Sequence, residues 1–327
     1  MSARLFPITL AALAATLTGC LTQEQTFHLN PDGSGKLEVN MSVDTAMMAG
    51  LGGGGAGQDM GKEVALQLLR GTQGVDTWAD LSHETGADGK TKVHGLVYFK
   101  DINKLKMNDG EQAGGASAGT LSSKREGDSW IVSTGLPGGE TPAQPSAPSS
   151  AKPSDDQIKA AIQQAKAQWE ASKSLVAPMI EGAKVSTTVK AGGTIKDSVG
   201  FTKSDDNTAV LSFGGAQVIS AIDGMMNDPK IMEEALTGGD AMGVLRDQKR
   251  LQKSIMESLT GGKGLPKIEL KPGEPAFDYA AEVAKAKAGQ TDAFKALLAD
   301  SAKPKGGAVI RPPGGSKKPS APAPAPK

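Results

Sequence analysis

The stretch Thr22–Val43, TQEQTFHLNPDGSGKLEVNMSV, decides the fold. Phe27 and Leu29 alternate with polar neighbours, and so do Leu37, Val39, Met41 and Val43. That period of two marks half-buried strands. Between the runs lies Asn30-Pro31-Asp32-Gly33-Ser34-Gly35. Its proline presets φ and its glycines accept positive φ, so the segment reads as a turn. The expectation is a β-hairpin of Thr22–Leu29 with Lys36–Val43.

Further elements follow along the chain. Asp59–Leu69 reads as a helix with Met60, Val64, Leu68 and Leu69 on one side. Thr77–Glu84 and Thr91–Ile102 read as a second hairpin around Gly86-Ala87-Asp88-Gly89, with Val93, Leu96, Val97, Tyr98 and Phe99 placing its second strand inside a sheet. Thr120–Arg125 and Ser129–Ser133 make a third hairpin around Gly127-Asp128, with Trp130 and Val132 facing one way. Leu136–Pro153 is a Pro/Ser/Ala linker. A helix starts at Ser154, whose capping partner is Gln157. Ile158, Ile162, Ala165, Trp169, Ser172, Val176 and Met179 form its packing stripe, and Pro178 ends or kinks it. Val185–Val189, Thr194–Thr202 and Thr208–Phe213 read as strands; Gln217–Met226, Pro229–Leu236, Ala241–Leu259 and Ala276–Leu298 read as helices.

The pattern predicts an α+β protein: a curved antiparallel sheet with the Ser154–Met179 helix packed on one face, followed by a helical C-terminal extension and a disordered tail. The expected divisions are a signal peptide at 1–19, an α+β domain at 20–213 containing the linker 136–153, a helical extension at 214–300, and a basic Pro/Ala tail at 301–327.

The address lies in the first residues. Arg4 supplies a positive start, Leu5–Leu17 is almost wholly apolar, and Leu17-Thr18-Gly19-Cys20 follows. The apolar run is shorter than the roughly 20 residues of a spanning helix and has the length of a signal's hydrophobic region. Leu17-Thr18-Gly19-Cys20 resembles the lipobox of bacterial lipoproteins, which implies cleavage before Cys20 and lipid on its thiol. Leu21 stands where an Asp would argue against outer-membrane sorting in enterobacteria, so the expected place is the cell envelope, on the periplasmic side of an outer membrane. Cys20 is the one cysteine in the chain. Its lipidation leaves no thiol for a disulfide, a redox pair or a thiolate metal site.

Forty-two glycines, nineteen prolines and twelve aromatic residues point to much loop and a modest core. The formal charge is zero but uneven, with six cations and no acid in residues 301–327. Setting those six and Arg4 aside leaves 29 basic against 36 acidic residues, a body of about −7. A tail rich in Pro, Ala, Gly and Lys cannot bury enough to order itself; it reads as a solvated spacer, the alternative being contact of its cations with anionic cell-envelope polymer or lipid headgroups.

Motifs of catalysis fail on context. Gly52-x-Gly54-x-x-Gly57 sits in a run so glycine-rich that the match is free, and Gly61-Lys62 lacks the rest of a phosphate loop. Gly115-Ala116-Ser117-Ala118-Gly119 spells GxSxG but has polar loop on both sides, where a nucleophile elbow needs a strand and a helix. Ser149-x-x-Lys152 falls in the linker. His28, His83 and His94 each stand alone on a strand, and Asp32 and Asp205-Asp206 sit in turns. No cofactor, metal or nucleic-acid partner is expected, and no enzymatic activity.

A lipobox cysteine followed at once by a strand, a Pro-Asp-Gly-Ser-Gly turn and a second strand is similar to the start of mycobacterial LppM-type lipoproteins. The order of hairpin, helix, antiparallel strands, long helix and further strands, over roughly Cys20–Phe213, is similar as well. That resemblance implies an exported α+β domain with a lipid-binding-like fold. The helical last third and the lack of a C-terminal membrane helix depart from the family. The function expected is that of a non-enzymatic envelope lipoprotein, held in the membrane by its N-terminal lipid, that binds a lipid or other apolar ligand or a partner protein. The alternatives are a structural protein contacting the cell wall through the extension or the tail, and a hydrolase without a legible motif.

Overall fold

The computed structural model describes residues 21–44, 59–87, 89–107, 121–134, 154–228, 230, 256–257 and 260–302. The first hairpin forms as read: β1 (Leu21–Leu29) and β2 (Gly35–Asp44) pair antiparallel, Phe27 opposite Leu37. Asn30 donates its amide to the Ser34 carbonyl at 2.8 Å, and Asp32 Oδ1 accepts from the Ser34 amide at 2.9 Å. Gly33 turns the chain at φ 88°, where a side chain would be strained.

Helix α1 (Met60–Gly71) is capped by Asp59, whose Oδ1 accepts from the Lys62 amide at 3.0 Å. The short β3 (Thr72–Gln73) precedes β4 (Thr77–Thr85) and β5 (Lys90–Phe99), which form the second hairpin, with a bulge between Trp78 and Asp80. Then come β6 (Lys106–Met107), which pairs with β3, and the third hairpin, β7 (Leu121–Glu126) with β8 (Ser129–Thr134). The long helix α2 (Asp155–Ile180) runs two residues past Pro178 and stops. β9 (Lys184–Ala191), β10 (Gly193–Val199), β11 (Thr202–Lys203), β12 (Thr208–Gly214) and α3 (Gly215–Asn227) follow. The last described elements are β13 (Lys267–Pro272), α4 (Tyr279–Ala288) and α5 (Asp292–Ser301).

The strands make a seven-stranded sheet, β11-β12-β9-β1-β2-β5-β4, and a four-stranded one, β10-β13-β8-β7. The α+β class holds, and three features differ from the sequence reading. First, the large sheet is mixed, because β1 and β9 are parallel. A tight turn forces neighbours to be antiparallel, but β9 arrives through the crossover helix α2, which leaves its direction free.

Second, the long helix shares its face of the large sheet with the smaller sheet, which covers most of it. Phe27, Leu37, Val97, Val189 and Ala209 share one core with Leu121, Trp130, Val132, Ile195, Ile268 and Leu270, joined by Ala65 of α1 and Phe294 of α5. Helix α2 takes only one end of that same face: Trp169 lies with Val185 and Phe213 at the ends of β9 and β12 and with Val218, Ile222 and Met226 of α3.

Third, the expected C-terminal extension is woven into the body. β13 pairs with both β10 and β8 in the smaller sheet. The helix expected over Ala276–Leu298 is two helices, because Gly289 closes α4 and Thr291 caps α5, accepting from the Phe294 amide at 3.2 Å. The linker 136–153, most of the helices expected over Pro229–Leu236 and Ala241–Leu259, and nearly all of the tail lie outside the described residues. No described helix is long and apolar enough to cross a membrane.

Candidate functional site

Each face of the large sheet presents polar side chains in an unusual setting. On the inner face, the alternation that buries Phe27 and Leu29 continues back along β1 and also buries Gln25 and Gln23. Gln25 lies opposite Thr187 of the parallel β9. Gln25 is 1% exposed and Thr187 0%. Among the described residues the Gln25 amide Nε2 reaches the Met107 sulfur, at 3.8 Å. Gln25 Oε1 and Thr187 Oγ1 have no hydrogen-bond partner among the described residues. Buried polar atoms left so cost about 1–3 kcal/mol each. They lie between the two apolar clusters: Val189 and Ala209 belong to the main core, while Val185 and Phe213 belong to the cluster under α2. The two halves of the protein thus meet along a polar seam.

The outer face is divided. At one end α4 is pinned down by ionic and aromatic contacts. Lys36 Nζ lies 2.7 Å from Glu282 Oε2 and 4.6 Å above the Phe277 ring, and the Tyr98 hydroxyl donates to Glu282 at 2.8 Å. Burial pushes the Glu282 carboxyl up, but the Lys36 and Tyr98 hydrogen bonds outweigh it and hold the group below the usual carboxylate range. His28 sits among the same groups. Burial first, then the Lys36 and Lys190 charges, lower its pKa and favour the neutral ring.

At the other end the outer face is open and forms a cavity of about 510 Å³. Two cross-strand rows make its floor. Thr22, Ser42, Lys92 and Glu84 stand side by side on β1, β2, β5 and β4, and Glu24, Asn40, His94 and Ser82 form the next row. The His94 ring Nδ1 is 2.9 Å from Asn40 Oδ1, and Lys184 Nζ approaches Glu24 at 4.0 Å. His83 is on the rim, its Nδ1 3.7 Å from Asp59.

His83 and His94 therefore border one cavity, whereas His28 lies beside α4. Among the described residues no group of three metal-binding side chains converges. Asp32 and Asp205 act in turns, Asp205 accepting from the Asn207 amide at 3.0 Å. Gly61 and Lys62 belong to the first turn of α1: Lys62 pairs with Asp300 at 2.8 Å, and a side chain at Gly61 would strike His83 at 2.8 Å. Cys20, the Gly52–Gly57 run, Ser117 and the Ser149/Lys152 pair lie outside the described residues. Sequence reasoning missed Gln25 and Thr187. The signal was present, since both have the parity of their apolar neighbours, but polar residues do not announce an inward face.

The chain resembles the folded domain of LppM. That domain, from Mycobacterium tuberculosis and solved by NMR, matches 60% of this chain and 84% of its own length, at 12% identity and a TM-score of 0.29. A score this low passes no ligand or partner from one protein to the other. No family model and no curated protein matches the chain.

Proposed function

We propose that this protein is a non-enzymatic lipoprotein of the cell envelope, anchored through Cys20, that holds an amphiphilic ligand at the inner seam of its large sheet. The lipobox Leu17-Thr18-Gly19-Cys20, after the positive and apolar start of the chain, supports the anchor. The Gln25–Thr187 pair carries the ligand reading. An oxygen that accepts and a hydroxyl that donates or accepts face each other's strand, buried between apolar clusters and without partners among the described residues. A ligand with a hydroxyl or amide head and an apolar body satisfies both surroundings.

Thr187→Val tests this. The change keeps the shape and removes the hydroxyl. Native mass spectrometry of protein from its own host is expected to show a bound small molecule on the wild type and its loss from the variant. A wild type with no adduct would contradict the reading. So would a variant that keeps the adduct and gains about 1–3 kcal/mol of stability from shedding an unpaired polar group.

A further inference from the structure

The outer cavity lies at the end of the sheet where the chain leaves the anchor. Resting on the lipoprotein reading above, the structure leaves no tether: Leu21 is already in β1, paired with Val43. Strand rise is about 3.4 Å per residue, so a residue at position 24 is only about 10–14 Å along the strand from the acylated cysteine. The polar layer of a bilayer is itself about 5–8 Å thick on each side. The first floor row, with Thr22, Ser42, Lys92 and Glu84, is nearest the anchor, and the row holding Glu24 and His94 is next. Lipid on Cys20 presses this end of the sheet against the headgroups.

The chemistry of the floor selects among headgroups. It carries an ammonium, Lys92, with hydroxyls beside it, and two carboxylates, Glu24 and Glu84. A purely anionic headgroup would meet both carboxylates. A zwitterion matches both signs, its phosphate toward Lys92 and its cation toward the carboxylates. The described lining contains no Phe, Tyr or Trp. Quaternary ammonium groups are held by aromatic faces, whereas a primary ammonium donates hydrogen bonds, which carboxylates accept. We propose that the cavity takes the phosphoethanolamine headgroup of a phospholipid from the bilayer in which Cys20 is embedded, and so fixes the orientation of the sheet on the membrane.

The test uses the full lipidated protein in detergent, with acylation of Cys20 confirmed by mass beforehand, so that failure of the anchor is seen separately. Dioleoyl phosphatidylethanolamine, phosphatidylcholine and phosphatidylglycerol are titrated in turn, and retained lipid is counted by native mass spectrometry. The ethanolamine lipid is expected to be retained about tenfold more tightly than the other two, as charge-assisted hydrogen bonds to a positioned ammonium would give. Glu24→Gln/Glu84→Gln should erase the preference for ethanolamine over choline, and Lys92→Gln should weaken both zwitterionic lipids. These side chains are exposed, so the variants should melt like the wild type. Equal retention of all three lipids, or unchanged selectivity in the variants, would overturn the proposal. Free phosphoethanolamine binding as tightly as the lipid would overturn it too, by showing a site for a soluble molecule.

Discussion

Trp169→Ala is expected to lower the free energy of unfolding by about 3–5 kcal/mol, the range for emptying a buried tryptophan site. Trp169 is 3% exposed and is the largest side chain where α2 meets α3 and the ends of β9 and β12. Its indole Nε1 also donates to Asp223 Oδ1 at 2.7 Å, and Lys173 holds the other oxygen of that carboxylate at 2.6 Å. Truncation removes packing volume and one of the two partners that hold Asp223. Trp169→Phe separates the effects: most of the ring remains while the donor is lost, at about 0.5–1.5 kcal/mol. Urea unfolding followed by circular dichroism measures both. A loss below about 0.5 kcal/mol for the alanine variant would show that α2 stands free of the sheet.

Ending the chain after Gly262 is expected to abolish the cooperative unfolding transition. The cut removes β13, α4 and α5. With them go Ile268 and Leu270, both fully buried, and Phe294, which is 1% exposed. Each contributes about 1.5–3 kcal/mol of burial, a loss that consumes much of the about 5–15 kcal/mol by which domains are stable. The geometry makes matters worse, because β13 lies between β10 and β8 and its loss leaves two unpaired edges inside the smaller sheet. Ending the chain after Ala302 instead removes only the Pro-, Ala- and Lys-rich stretch and should leave the melting temperature unchanged. If the shorter chain still melted as sharply as the full one, the last third would be an appendage after all.

The contrast between those truncations marks where sequence reading stopped. The first hairpin was legible because turn chemistry and alternation agree over Thr22–Val43. Helices α1 and α2 were legible because Asp59 and Ser154 stand where caps belong, ahead of apolar periodicity. β13 was not. Its six residues carry only Ile268 and Leu270 as apolar signal, and its partners lie far away in sequence. Nothing local says that such a strand completes a second sheet, so the long helix is expected to cover a face that it shares with this sheet. The break between α4 and α5 was readable at Gly289 and Thr291, and the apolar rhythm on either side concealed it. The candidate sites depend on register. Gln25 meets Thr187 only through a parallel pairing, and the two rows of the outer cavity need four strands aligned across a bulge.

The anchor is different, since it is read from residues 4–20 alone and everything proposed about the membrane depends on it. Mass spectrometry of the N-terminal peptide from protein purified out of its host's membranes tests it directly. The expected result is a chain that begins at Cys20, lacks residues 1–19, and carries a diacylglyceryl group on the sulfur. The same protein made as Cys20→Ser should leave the membrane fraction on carbonate washing. A native chain that retains residues 1–19, or one with an unmodified thiol at Cys20, would contradict it.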